Sequence, residues 1–217
     1  MFLDRTEAGR RLAQRLQDLQ DTKPVILALP RGGVPVAAEV ASALHAPLDL
    51  LLVRKIGAPH HGELAVAAVA DGQKPRLVVN REVADSLHVD DDYLRTAAQR
   101  ELAEIERRRK RYDIGQPHPE VKGRTVIVVD DGIATGATAK AALMLLRAAQ
   151  PKSIILAIPV AASSTLEEFR GLADRIVCLE TPPDFYAVGA HYREFPQLTD
   201  DQVVEFLKAA VQPTPPQ

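Results

Sequence analysis

The spacing of apolar positions changes repeatedly along the chain, and each change marks a new strand or helix. Ala8, Leu12, Leu16 and Leu19 recur at helical spacing behind Asp4 and Glu7, whose separation suits a capping box, so a helix opens the chain. Residues 25–29 are a short continuous apolar run, as expected of a strand buried on both faces, and 34–44 follow as a helix. A second strand is expected at 48–53, with antiparallel partners at 64–70 and 77–79. Asp90 then opens a long helix with Leu94, Ala98, Leu102 and Ile105 at helical spacing. Strands at 125–130, 153–160 and 175–179, with helices at 137–149 and 164–172 between them, complete the pattern. Strands alternating with helices of this length imply an α/β fold, a parallel sheet covered on both faces. No internal repeat breaks the order, and the proline-bearing tail 212–217 is expected to be disordered.

The most informative stretch is 126–138, V-I-V-V-D-D-G-I-A-T-G-A-T. Its apolar run makes a buried strand that ends in Asp130 and Asp131, where ligand sites of parallel sheets open. Small residues follow, with Gly132 and Gly136, before a helical pattern from Ala139. Such a loop delivers unhindered N–H groups at a helix start, where the dipole also favours an anion. A phosphate cradle beside two carboxylates suits a sugar phosphate. A Walker A loop is excluded, because the glycines are too close together and no lysine follows Gly136. The dinucleotide fingerprint G-x-G-x-x-G is absent from both glycine-bearing turns. An ordinary strand-to-helix turn would seldom place two adjacent acids there, since buried carboxylates without partners are costly.

The first strand ends in L-P-R-G-G-V-P. Gly32 and Gly33 permit close backbone approach, and Arg31 adds a planar cationic fork suited to phosphate. Alone this is a turn; paired with the Asp130–Asp131 loop it becomes a second anion cradle. Arg54 and Lys55 stand at the end of the second strand, before I-G-A-P-H-H-G-E. Gly57, Pro59 and Gly62 suit a mobile loop that folds over the site and excludes water. His60 and His61 lack a cysteine or carboxylate at metal-ligand spacing, so they suit a loop better than a metal site. Glu63 is that loop's acid and the candidate proton acceptor.

Composition narrows the field. A chain of 217 residues buries a substantial core without disulfides, and a formal charge of −2 gives no electrostatic case for nucleic acid. The basic run 107–111 belongs to a helix that begins at Asp90, Asp91 and Asp92, so it complements the helix dipole. Glu101, Glu104 and Glu106 are near enough to pair with it. Cys178, the single cysteine, suits a small buried hydrophobe and a reducing interior. No apolar stretch approaches a membrane span, and the first residues lack a signal peptide's pattern, so a soluble, cytoplasmic protein is expected.

The 126–138 segment resembles the signature of the type I phosphoribosyltransferases, an apolar strand, two acids and a T-G-x-T loop. A bacterial group of predicted phosphoribosyltransferases shares the L-P-R-G-G, V-R-K-x-G-A-P and V-D-D-G-x-A-T-G segments, and also P-x-x-F-x-A-V-G-A, here at 182–190. The resemblance implies the type I fold, a parallel sheet with helices on both faces, as one domain over 1–211. It further implies a small hood built from the N-terminal helix and 181–211. The implied activity is Mg2+-dependent transfer of the 5-phosphoribosyl group from phosphoribosyl pyrophosphate to a nucleobase, releasing pyrophosphate.

By the same resemblance, Asp130 and Asp131 hold the ribose hydroxyls and help orient Mg2+, which is bound mainly by substrate oxygens. Ala134, Thr135, Gly136, Ala137 and Thr138 hold the 5-phosphate, and Arg31, Gly32 and Gly33 the pyrophosphate. Arg54 and Lys55 offset the departing charge. Phe185 and Tyr186 line the base pocket, or else pack the hood with Tyr192 and Phe195. Hypoxanthine-guanine enzymes carry an aspartate where this chain has Ala134, so their proton chemistry is not implied. A regulator that binds phosphoribosyl pyrophosphate or a nucleotide without turnover is the alternative. Neither nucleic acid nor membrane is expected as a partner, and a homodimer is left open.

Overall fold

A computed structural model describes residues 1–59, 61–70 and 75–211. The strands β1 (Val25–Ala28), β2 (Leu48–Leu50), β6 (Thr125–Val129), β7 (Ser153–Val160) and β8 (Arg175–Glu180) form a five-stranded sheet in the order β2-β1-β6-β7-β8. All its neighbouring pairs are parallel. Alternation along these strands splits the core between two faces. Ile26, Ala28, Ile127, Val129, Ile155 and Ala157 face one apolar cluster, with Leu12 of α1 (Arg5–Gln14) and Val36 and Val40 of α2 (Gly33–Leu44). Val25, Leu27, Val126, Val128, Ile154 and Leu156 face the other, with Leu143 and Leu146 of α5 (Ala137–Arg147). Both faces are therefore covered, which is why these strands read as continuous apolar runs. The α/β expectation holds.

The expected second strand, 48–53, is corrected. β2 stops at Leu50, and Val53 begins β3 (Val53–Ala58) in a separate antiparallel sheet with β4 (His61–Ala70) and β5 (Arg76–Val79). Arg54 and Lys55 thus lie within a strand, and of the expected loop after them residues 56–58 end β3 and 61–63 begin β4, with His60 between them outside the described residues. The apolar run that ends β4 supplies the pairing surface, while the register shifts on either side of Gly57. Other boundaries differ by a few residues. α1 ends at Gln14, ahead of a 3-10 turn at Gln17–Thr22, although Leu16 stays buried as its spacing predicts. α6 spans only Ser163–Glu167, because the residues after it close as tighter i→i+3 turns.

Two helices were absent from the sequence pattern. Asn80 caps the short α3 (Arg81–Ser86), its side chain accepting the Val83 N–H. α7 (Asp200–Val211) joins the first face through Val203 and Leu207. The long α4 (Asp91–Tyr112) is capped by Asp90 as expected. At the start of the chain, buried Phe2 pairs with Tyr192, through Phe2 N–H to His191 O at 2.8 Å and Arg193 N–H to Phe2 O at 2.9 Å. This pairing brings the N-terminus to the C-terminal end of the sheet. None of the described helices is long and apolar enough to cross a membrane. The tail 212–217 lies outside the described residues.

Candidate functional site

β6 delivers Asp130 and Asp131 to the C-terminal end of the sheet, and the loop to α5 is anchored from below. Ile133 N–H donates to Val160 O at 2.9 Å, and the Thr165 hydroxyl donates to Ala134 O at 2.8 Å. Gly136, at φ +70°, caps α5 and lies against Phe169, where a Cβ would meet the ring at 2.8 Å. Ala134, Thr135 and Thr138 are exposed, and Ala137 is half-buried. The N–H groups of 134–138 precede or begin the helix, where it supplies them no acceptors. N–H groups so placed at a helix start are suited to an anion.

The turn after β1 forms the adjacent rim. Leu29 N–H donates to Val129 O at 2.9 Å, the Pro30–Arg31 peptide is cis, and α2 starts immediately at Gly33. A Cβ on Gly32 would stand 2.0 Å from Asp131 Oδ2, and one on Gly33 2.6 Å from Val129 O and 2.9 Å from Asp130 Cα. Two glycines are needed here because the turn touches the acids themselves. Arg31 is partly exposed and reaches Asp200 of α7 at 3.8 Å, a carboxylate also bound by Tyr112 Oη at 2.7 Å and by Arg111 at 2.9 Å.

Asp131 has a partner the sequence did not reveal. Arg5, in the first turn of α1 and almost fully buried, donates from Nε to Asp131 Oδ2 at 2.8 Å and from Nη1 to Pro196 O at 2.9 Å. Its guanidinium lies 3.7 Å from the Phe195 ring centroid. The Tyr192 hydroxyl donates to the Asp131 carbonyl at 2.5 Å. Asp130 Oδ1 accepts the Asp131 N–H at 2.9 Å. Both acids keep some accessible surface, yet the protein around them suffices to raise the Asp130 carboxyl well above its usual range, first by burial and then by the Asp131 charge. Burial raises Asp131 as well, while the Arg5 guanidinium opposes it. One signal could have exposed Arg5: a cation in a helix's first turn faces the wrong end of the dipole unless a distant acid holds it.

The remaining expected residues are more dispersed. Strand alternation sends Arg54 and Lys55 to opposite faces of β3. Arg54 Nε donates to the largely buried Glu101 of α4 at 2.8 Å, whereas Lys55 is exposed. His60 lies outside the described residues, and so do the side chains of His61 and Glu63, although their backbones belong to β4. Phe185 stacks on His191 with centroids 5.4 Å apart, while Tyr186 is 81% exposed. Val188 reaches Gly132, where a Cβ would meet it at 2.6 Å, so this segment closes over the loop after Asp131. The Cys178 thiol donates to Glu180 O at 3.3 Å, and burial pushes its pKa up to about 11, as suits an inert thiol. A cavity of about 320 Å3 lies elsewhere, around the C-terminal end of α5, with Arg76, Arg109 and His118 in its lining.

Comparison with known proteins agrees with this arrangement. Residues 3–194 match the family described as the phosphoribosyl transferase domain. Two Mycobacterium tuberculosis proteins, from strains H37Rv and CDC 1551 and each named "Putative phosphoribosyl transferase", are 47% identical over 210 residues, or 97% of this chain. The match covers 47% of their length, so the chain spans about half of those relatives. The crystal structure of TT1426 from Thermus thermophilus is similar at a TM-score of 0.86 and 42% identity, over 95% of this chain and 97% of that one. With its parallel sheet, two glycine-lined turns and paired acids, the chain belongs to the phosphoribosyltransferase family.

Proposed function

We propose that the protein transfers the 5-phosphoribosyl group from phosphoribosyl pyrophosphate to a nitrogenous base and releases pyrophosphate. The observation that carries this reading is the direct abutment of the two cradles, with Gly32 against the Asp131 carboxylate and Gly33 against Asp130. A ligand with a phosphate at one end, a ribose in the middle and a pyrophosphate beside it matches that order. Membership of the family supports the same assignment.

In this reading the N–H groups of 134–138, with the hydroxyls of Thr135 and Thr138, bind the 5-phosphate. Asp130 and Asp131 accept the ribose hydroxyls. The turn amides at Gly32 and Gly33, with Arg31, take the pyrophosphate. Arg54 and Lys55 offset its charge as the anomeric bond breaks, Arg54 exchanging Glu101 for the ligand. Glu63 accepts the proton of the incoming base, and Phe185 and Tyr186 flank that base. Catalysis consists of positioning and charge neutralisation around an oxocarbenium-like state, without a covalent intermediate.

The residues also fit magnesium. Asp130 and Asp131 offer hard oxygen donors, and no group of three acids, histidines or cysteines among the described residues forms a protein cage. Asp130 and Asp131 would hold such an ion, most of its other ligands would come from substrate and water, and it would supply charge neutralisation of the pyrophosphate.

The test is pyrophosphate release from phosphoribosyl pyrophosphate and Mg2+ across a panel of nucleobases. Saturable release with at least one base, matched by nucleoside 5-monophosphate formation, is expected. Saturable binding without release across the whole panel would make the protein a sensor, and absence of binding would overturn the site itself.

A further inference from the structure

Arg5 takes no part in the motifs, yet it joins three segments that are distant in sequence. Its Nε binds Asp131 Oδ2, its Nη1 binds Pro196 O, and its planar face covers Phe195. Asp131 is thereby fixed on several sides. Arg5 holds Oδ2, the Gly32 backbone presses against the carboxylate, and Tyr192 holds the carbonyl. Among the described residues no protein donor reaches Oδ1. One oxygen is thus committed to orientation, and the other is left for a ligand.

A purely structural tie is already present nearby. Phe2 is buried and hydrogen-bonded to both His191 and Arg193, and Glu194 N–H donates to Leu3 O at 2.9 Å. These bonds suffice to hold the N-terminus against residues 191–194. The reach of Arg5 goes beyond that junction, to the acid of the motif. Its rigid, planar fork also suits a fixed orientation better than a flexible ammonium would.

We propose that Arg5 is a positioning residue, which turns the Asp131 carboxylate toward the ribose hydroxyls and locks it to the segment at Phe195 and Pro196. The assignment rests on the sugar-phosphate reading of the site for its ligand class. Arg5 touches neither sugar nor phosphate in this role; it acts through Asp131. Recognition of ribose hydroxyls therefore depends on Arg5, while recognition of the 5-phosphate by the loop before α5 does not.

The experiment compares ribose 5-phosphate with 2-deoxyribose 5-phosphate by calorimetry in the full chain, together with melting temperature. The unmodified protein should prefer the ribose compound by about tenfold or more, the range expected of a hydrogen bond to a charged group. Arg5→Met should bring that ratio to within about threefold, mostly by weakening the ribose compound, whatever its effect on melting. Arg5→Lys should restore part of the preference. Where Arg5→Met fails to fold through the unpaired Asp131, Arg5→Lys carries the comparison and should still lower the ratio by about threefold. In an Asp131→Asn background, Arg5→Met should leave the ratio unchanged, because the route through Asp131 is already cut. Equal weakening of both ligands in Arg5→Met, at an unchanged ratio, overturns the positioning role and leaves the site reading intact. Failure of the unmodified protein to bind either compound overturns both.

Discussion

Replacing Gly32 by alanine tests whether the first turn and the second acid form a single site. The added Cβ would lie 2.0 Å from Asp131 Oδ2, 2.5 Å from its Cγ and 2.9 Å from its Oδ1. Carbon and oxygen atoms at ordinary contact stand about 3.5 Å apart, so a gap of roughly 1.5 Å must open. The carboxylate cannot swing aside cheaply, since Arg5 holds Oδ2 at 2.8 Å and is itself held by Pro196 and Phe195. Either the turn shifts or the ion pair breaks. Overpacking of this kind costs about 1–3 kcal/mol, and leaving a buried charge unpaired costs more. For a chain of this size each kcal/mol lowers the melting temperature by about 2–4 °C, so a drop of roughly 2–12 °C is expected.

The assay is a double-mutant cycle read by thermal melting. In an Asp131→Ala background the carboxylate atoms are gone, and Gly32→Ala should then cost no more than about 0.5 kcal/mol. Affinity for phosphoribosyl pyrophosphate should fall at least about tenfold in Gly32→Ala alone, a change of roughly 1.4 kcal/mol. Equal melting shifts in the two backgrounds would refute the reasoning, as would a Gly32→Ala protein that melts within about 1 °C of the parent.

Three further substitutions probe the rest of the site. Burial and the Asp131 charge raise the Asp130 carboxyl, so the folded state holds its proton more tightly than the unfolded chain does. This group's contribution therefore falls as pH climbs from the unfolded value toward the folded one. Asp130→Asn keeps the oxygen that accepts the Asp131 N–H and removes the buried charge; it should stabilise the protein by about 0.5–2 kcal/mol at pH 7 while turnover is lost, and a lowered melting temperature would contradict this. Gly136→Val places a branched side chain at φ +70° against Phe169, so it should weaken nucleoside 5-monophosphates and phosphoribosyl pyrophosphate alike, whereas Arg31→Ala should spare the monophosphates. Equal loss of both ligands in Arg31→Ala would undo the division into two cradles.

Elements buried on both faces were legible because nothing in their sequence competes with the strand reading. β7 spans Ser153–Val160, as the apolar run predicts, and α4 begins behind Asp90 because its carboxylate caps Tyr93 N–H. The stretch from Leu48 to Ala58 was not legible as two strands. Leu50, Leu51, Leu52 and Val53 form one apolar run, and periodicity alone cannot show where the chain leaves the parallel sheet for the antiparallel one. α7 escaped for a similar reason: its buried Val203 and Leu207 are few and follow a long irregular segment.

The site divides along the same line. The two glycine-lined turns are local chemistry, and residues 31–33 and 130–138 fall where strand ends and helix starts require them. The pairing of Asp131 is not local. Its partner lies 126 residues earlier and carries a positive charge into the first turn of α1, where the dipole disfavours it. Taken separately, Arg5 is a misplaced cation and Asp131 a costly buried acid. Together at 2.8 Å each offsets part of the other's penalty, although burial still holds the Asp131 carboxyl above its usual range. A sequence shows both violations, but only the fold shows that they meet. The pairing orients Asp131 at the C-terminal end of the sheet, beside the turn at Gly32, and leaves its Oδ1 without a protein donor among the described residues.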